Sequence, residues 1–202
     1  MSPDVVRWLK PPVFLLCLLP AVKLTLEAFG LWGLSLGANP VEELIHRLGW
    51  WGLAFLLITL TVTPLRRLSG RAWLLRFRRM LGLFAFFYVT LHFLAYAGID
   101  QRFALGYIVD DVLERPYITI GFLAFVLLIP LAATSTRGMV RRLGPRWKKL
   151  HRLVYVIAVL GAWHFYWLVK ADLFEPLVFG LILALLLGYR LAVLYFGAGN
   201  KT

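Results

Sequence analysis

Six apolar runs, each about long enough to cross a lipid bilayer, constrain this chain more than any other feature. A hydrocarbon core of about 30 Å takes ~20 helical residues. In lipid every backbone polar group must be satisfied internally, which selects helices for such runs. The runs lie at about Pro12–Leu31, Gly49–Leu65, Met80–Ile99, Tyr117–Ser135, Leu150–Val169 and Leu173–Phe196. They predict an all-α, polytopic membrane helix bundle with six transmembrane helices in a single domain over residues 1–202. The second run is the shortest and is expected to stop at Thr63-Pro64, because proline removes a donor and restricts the residue before it. The first run follows Arg7 and Lys10, as a signal peptide would. It is longer than a typical h-region of ~7–15 residues and lacks an A-x-A site, so it reads as a retained helix.

Charge sets the orientation. The chain has 22 Lys+Arg against 10 Asp+Glu, a net +12, yet 61% of its 202 residues are hydrophobic. A basic nucleic-acid module has no need of so much apolar sequence, so nucleic acid is not an expected partner. The loop between the second and third runs carries Arg66, Arg67, Arg71, Arg76, Arg78 and Arg79, with no acid. The loop between the fourth and fifth carries Arg137, Arg141, Arg142, Arg146, Lys148, Lys149 and Arg152, again with no acid. The alternate loops hold Glu42, Glu43, Asp100, Asp110, Asp111, Glu114, Asp172 and Glu175, with only Arg47, Arg102, Arg115 and Lys170 as basic residues. The positive-inside rule places the basic loops and both termini in the cytoplasm. Cys17 is the lone cysteine, which excludes an intramolecular disulfide, c-type haem attachment and a zinc cluster. No internal repeat is visible.

The histidines carry the chemistry. Ionisable residues within a span are costly and mark function by default. His92 lies twelve residues after Met80, and His164 fourteen after Leu150. These offsets are about 18 Å and about 21 Å from the same side at ~1.5 Å per residue. The third and fifth helices run in the same direction, so both side chains sit at a similar depth in the outer half. Two histidines on facing helices at matched depth can clamp one b-type haem. Ala85, Tyr88, Ala95 and Tyr96 share the His92 face, and Gly161 lies one turn before His164; the small residues would let a flat macrocycle approach. Hydrogen bonding of each imidazole between helices is the alternative. His151 stands at the cytoplasmic end of the fifth helix, about 20 Å from His164. It suits either a second, inner haem or an interfacial polar role, and the inner end of the third helix offers Arg79 and Met80 rather than a histidine partner. His46 reads as a solvated residue at the outer side, with haem contact as the second reading. Lys23 and Glu27 stand at i,i+4 and predict a self-compensating ion pair, with a proton or quinone-headgroup site as the alternative.

Several segments stand together in order: Gly37 to Pro40-Val41, Arg78-Arg79-Met80-Leu81-Gly82-Leu83, Thr90-Leu91-His92, Arg115-Pro116-Tyr117, Thr134-Ser135-Thr136, Leu143-Gly144, Trp147 to His151 and Val154-Tyr155. With the His164 helix they closely resemble the MsrQ (YedZ) family, within the wider ferric-reductase-like transmembrane group. The resemblance covers nearly the whole chain. It implies a haem b subunit of the bacterial inner membrane. Such a subunit passes electrons from the quinone pool to a periplasmic, molybdenum-containing methionine sulfoxide reductase that repairs oxidised proteins. It implies His92, His164 and His151 as haem-iron ligands, and FMN as a further cofactor. Catalysis on the sulfoxide would belong to the partner. No G-x-G-x-x-G fingerprint is present, so a dinucleotide site in this chain is not expected. The competing readings are a stand-alone ferric-type reductase and a haem-free transporter or structural membrane protein.

Overall fold

A computed structural model describes residues 3–170 and 172–198; the termini themselves lie outside the described residues. The helices are α1 (Pro3–Ala28), α2 (Pro40–Ser69), α3 (Leu75–Leu94), α4 (Leu105–Glu114), α5 (Pro116–Ala133), α6 (Arg137–Leu143), α7 (Pro145–His151), α8 (Leu153–Leu168) and α9 (Phe174–Ala198). A π-helical turn, Ala95–Asp100, extends α3. No strand occurs among the described residues. Five stretches are long and apolar enough to cross a membrane: Val5–Ala28, Pro40–Ser69, Ala72–Asp100, Pro116–Ala133 and Phe174–Tyr195. The fifth expected run is represented by α8, with 16 residues, because His151 closes α7 and Arg152 separates it from α8. The chain is a multi-pass membrane protein.

The central element is α2, which packs along α3 and also meets α1, α8 and α9, while α5 pairs with α8. Its middle residues, Leu53 to Leu57 and Leu60, are buried. The other spans keep large apolar side chains such as Leu15, Ile129, Leu185 and Leu194 on their outer faces. In lipid those faces cost nothing. Phe86 stacks on Phe125 and Phe93 meets Phe122, so α3 and α5 run antiparallel. Both arginine-rich loops therefore gather at one end of the bundle and the acidic loops at the other.

Prolines inside two of the helices, Pro64 and Pro20, are accommodated by contacts with neighbouring helices. The expected stop at Thr63-Pro64 does not occur, and α2 continues to Ser69. Pro64 has no N–H for the carbonyl of Leu60 four residues earlier. The Arg190 guanidinium, reaching over from α9, donates to that oxygen at 2.6 Å. Arg190 also donates to its own helix at Leu186 and lies 5.1 Å over the Tyr155 ring. Among the described residues no carboxylate pairs with it. Beside Pro20 in α1, the Tyr88 hydroxyl is inserted into the helix ladder. It accepts from the Ala21 amide at 3.0 Å and donates to the Cys17 carbonyl at 2.8 Å. Tyr88 is fully buried and stacks on Phe55.

The loop expected after the third span contains α4. Leu105, Val109 and Leu113 form an exposed apolar stripe along it, beside exposed Asp110 and Glu114. That is the pattern of a helix lying in a membrane interface. It went unseen in the sequence because ten residues with four charged or phenolic side chains read as a polar connection. The expected Lys23–Glu27 ion pair forms, but Glu27 has a closer partner. Lys23 Nζ is 3.7 Å from Glu27 and mostly exposed, whereas Arg47 of α2 reaches the buried Glu27 at 2.9 Å and Glu43 at 2.6 Å. A buried carboxylate takes the shorter, more directional guanidinium bond.

Arg190→Met should lower stability by about 1–3 kcal/mol, the cost of an unsatisfied buried carbonyl. Pro64→Ala should suppress most of that loss, because it restores the missing N–H. Thermal unfolding of the two single variants and the double variant in detergent checks the coupling.

Candidate functional site

Between the α2–α3 and α5–α8 pairs lies a cavity of about 460 Å³, within the usual range for a bound organic cofactor. His92 and His164 both line it. Their ring centroids are 6.2 Å apart, with the planes at 73°. Matched depth, read from residue offsets, thus corresponds to direct juxtaposition.

Each ring is held the same way. His92 Nδ1 lies 2.8 Å from the Ile45 carbonyl on α2, and His164 Nδ1 lies 2.7 Å from the Tyr117 carbonyl on α5. A carbonyl only accepts, so each Nδ1 carries the proton and each Nε2 keeps its lone pair. Neither Nε2 has a hydrogen-bond partner among the described residues, and neither is a sealed, unsatisfied atom. Two imidazoles with an unpartnered Nε2 thus line one cavity, one from α3 and one from α8.

Glycine makes the close approach possible. A Cβ on Gly49 would stand 3.0 Å from His92 Nδ1, and one on Gly121 would stand 2.8 Å from His164 Nδ1. Each glycine follows its accepting carbonyl by four residues, Ile45 to Gly49 and Tyr117 to Gly121, so both groups share one helix face. Any side chain at either glycine would displace the imidazole from the carbonyl.

The two constellations are related by one offset. Ile45 to Tyr117, Gly49 to Gly121 and His92 to His164 are each 72 residues apart, and both histidines sit 47 residues after their acceptors. Phe93 and Phe165, also lining the cavity, share the offset. The α2–α3 and α5–α8 pairs thus carry the same carbonyl–glycine–histidine unit at one spacing. This corrects the expectation of no internal repeat. Few other positions match, since lipid-facing residues need only be apolar, so the signal reduces to a glycine, a histidine and their spacing.

The remaining expectations divide. Ala85, Tyr96 and Gly161 line the cavity as anticipated. Tyr88 does not, because its hydroxyl is committed to α1. His46 is exposed at the edge of the cavity, so the solvated position and the contact with the site hold together. His151 is not brought to His92 and His164. Its ring stacks on Trp147 with centroids 3.9 Å apart, and its Nε2 is 3.1 Å from Thr134 Oγ1. Trp147 in turn donates to the Thr134 carbonyl. Burial, and then the nearby Arg78 guanidinium, lower the His151 pKa and favour the neutral ring. The hydrogen-bonded linkage of Tyr96 to Asp111 and Arg115, which the sequence alone does not give, also belongs to the site. Tyr96 donates to Asp111 Oδ2 at 3.0 Å, and Arg115 Nε is 3.2 Å from Asp111 Oδ1. The π-helical turn swings Tyr96 and Asp100 to the cavity, a use such turns often have.

The donor set fits haem. A metal between two imidazoles separates the ring centres by roughly 6 Å, given metal–nitrogen bonds of about 2 Å. Outer hydrogen bonds from ligating histidines to carbonyls are the usual second support of such a centre. Phe93, Phe125, Leu128 and Ile157 supply apolar walls for a macrocycle.

Comparisons with known proteins agree. The family model described as ferric reductase like transmembrane component matches residues 48–162. A Rhodospirillum rubrum protein is 58% identical over 180 residues, covering 89% of this chain and 85% of its own. One from Xanthomonas oryzae pv. oryzae is 56% identical over 156 residues, covering 77% and 72%. One from Azospira oryzae is 50% identical over 191 residues, covering 94% and 81%. All three are named protein-methionine-sulfoxide reductase heme-binding subunit MsrQ. No solved structure gives a significant match.

Gly121→Ala should turn His164 away from Tyr117 and abolish six-coordinate low-spin haem absorbance. Gly180→Ala on α9, where a Cβ meets nothing within 4 Å, should leave the spectrum unchanged. Optical spectra of the purified variants check both outcomes.

Proposed function

The chain belongs to the ferric-reductase-like transmembrane family and, within it, to the MsrQ haem-binding subunits, and on that premise we propose that it is a haem b electron-transfer subunit of a methionine sulfoxide reductase system. The observation that carries the proposal is the pair of imidazoles lining one cavity with ring centroids 6.2 Å apart, each with Nδ1 held by a carbonyl and Nε2 left without a partner. His92 and His164 are the proposed axial ligands. Haem, when bound, supplies one-electron iron chemistry at a potential set by its ligands and surroundings.

The residues of the chain do the rest. The Ile45 and Tyr117 carbonyls hold the imidazoles in the ligating tautomer and raise their basicity. Two carbonyl-anchored rings need little rearrangement between oxidation states. The apolar walls exclude water and keep the site's dielectric low. His151 is the proposed ligand at the basic end, and to reach an iron it would give up the Thr134 hydroxyl.

In this reading six helices span the inner membrane, α8 being the fifth span, with the basic loops and both termini cytoplasmic. The His92–His164 pair then lies in the periplasmic half. Electrons from a membrane quinol pass outward to a periplasmic, molybdenum-containing catalytic subunit, where sulfoxide is reduced. FMN rests on resemblance alone. The basic hollow of Gly70, Arg71, Ala72, Trp73 and Arg76 offers charge for a phosphate, but FMN has no part in the proposed path.

Purified protein should show a low-spin b-type spectrum, and His92→Ala and His164→Ala should each abolish it. Retention of the native spectrum and haem content by both variants would falsify the ligand assignment. In proteoliposomes with a quinol donor, sulfoxide reduction should require both this chain and the catalytic subunit. Sulfoxide turnover by that subunit at the same rate without this chain would refute the electron-transfer role.

A further inference from the structure

The cavity is chemically lopsided. Toward the basic end its lining is apolar: Leu56, Ala85, Ala124, Leu128 and Ile157. Toward the acidic end the lining is polar, with Asn39, Glu42, His46, Asp100, Asp111 and Arg115. A cofactor shaped for this space has an apolar edge and a polar edge on opposite sides.

The carboxylates at the polar end already have donors. Asn39 donates to Glu42 at 2.6 Å, Gln101 to Asp100 at 2.8 Å, and Tyr96 to Asp111 at 3.0 Å. Arg115 is the one guanidinium among the lining residues. Asp111 engages it at Nε only, at 3.2 Å. A guanidinium has five N–H donors in a planar fork, so Arg115 retains capacity for a second carboxylate. Asp111, fixed by Tyr96 on its other oxygen, acts as the support that orients the fork. The Arg115–Pro116 sequence holds the side chain at the start of α5, two residues before Tyr117, whose carbonyl anchors His164.

Resting on the haem reading above, we infer that the macrocycle is seated with its two propionates at the acidic end of the cavity, and that Arg115 binds one of them. The vinyl and methyl edge then fills the apolar end. Arg115 thereby fixes the rotation of the ring about the His92–His164 axis, which two axial nitrogens alone leave undetermined. Asp111 is a positioning residue for Arg115, and exposed His46 lies at the same edge.

The test compares iron protoporphyrin IX with its dimethyl ester, which keeps the ring and iron but removes both negative charges. Full-length, haem-extracted protein in detergent is titrated with each and followed by Soret absorbance. Wild type should bind the free acid about ten- to a hundredfold more tightly than the diester, the range for a charge-assisted hydrogen bond. Arg115→Gln should lose most of that preference while keeping the low-spin spectrum, and Arg115→Lys should keep part of it. Equal affinity of the wild type for both porphyrins overturns the inference, as does undiminished preference in Arg115→Gln. The wild-type comparison needs no variant and stands even if a substitution impairs folding. Failure of the wild type to bind either porphyrin would instead refute the haem reading itself.

Discussion

The hydrogen bond from an imidazole Nδ1 to a helix carbonyl, made twice, is the interaction on which the site depends. Each bond sets three things together. It assigns the tautomer, turns Nε2 into the cavity, and fixes the distance between the helix that carries the histidine and the helix that carries the carbonyl. Gly49 and Gly121 are the steric counterpart, since either bond fails if a Cβ stands four residues after the acceptor. The unit of carbonyl, glycine and histidine is used once in α2–α3 and once in α5–α8. A haem iron, if bound, would be held by one histidine from each unit.

Low polarity makes the rest of the bundle equally intolerant of loose polar ends. Pro64 strands a carbonyl and Arg190 takes it up; beside Pro20 the Tyr88 hydroxyl bridges an opened helix bond. In water such defects would be hydrated at small cost. In lipid they must be repaired by a neighbouring helix. The repairs tie α9 to α2 and α1 to α3, so each defect also serves as a tether. An intramembrane arginine that looks functional by default has, in Arg190, a structural explanation.

Much of the architecture was legible in the chain, and the errors are instructive. Hydropathy located the spans, and the arginine loops sorted the ends of the bundle. Proline misled at position 64, because its effect depends on whether a donor from another helix is within reach. The amphipathic α4 was hidden by its own acids. The Lys23–Glu27 pair was legible from its spacing along one helix, whereas the closer partner, Arg47, lies on the next. His92 and His164 were legible as a pair because depth in a membrane follows from counting residues. Gly49, Gly121 and Arg115 were not, since their roles exist only in contact with another helix.

By itself the sequence determined that this chain crosses a membrane several times, that its charge is divided between two ends, and that two histidines lie at one depth. Those properties are sums along the chain, and a bilayer reads them directly. The tertiary structure decided which way each histidine faces, which carbonyl orients it, and that the two halves repeat at an offset of 72 residues. It also separated His151 from the pair and placed Arg115 at the polar end of the cavity. Rotation of a helix about its own axis has almost no cost in lipid, so it is settled only by hydrogen bonds and close packing between helices, which no single segment contains.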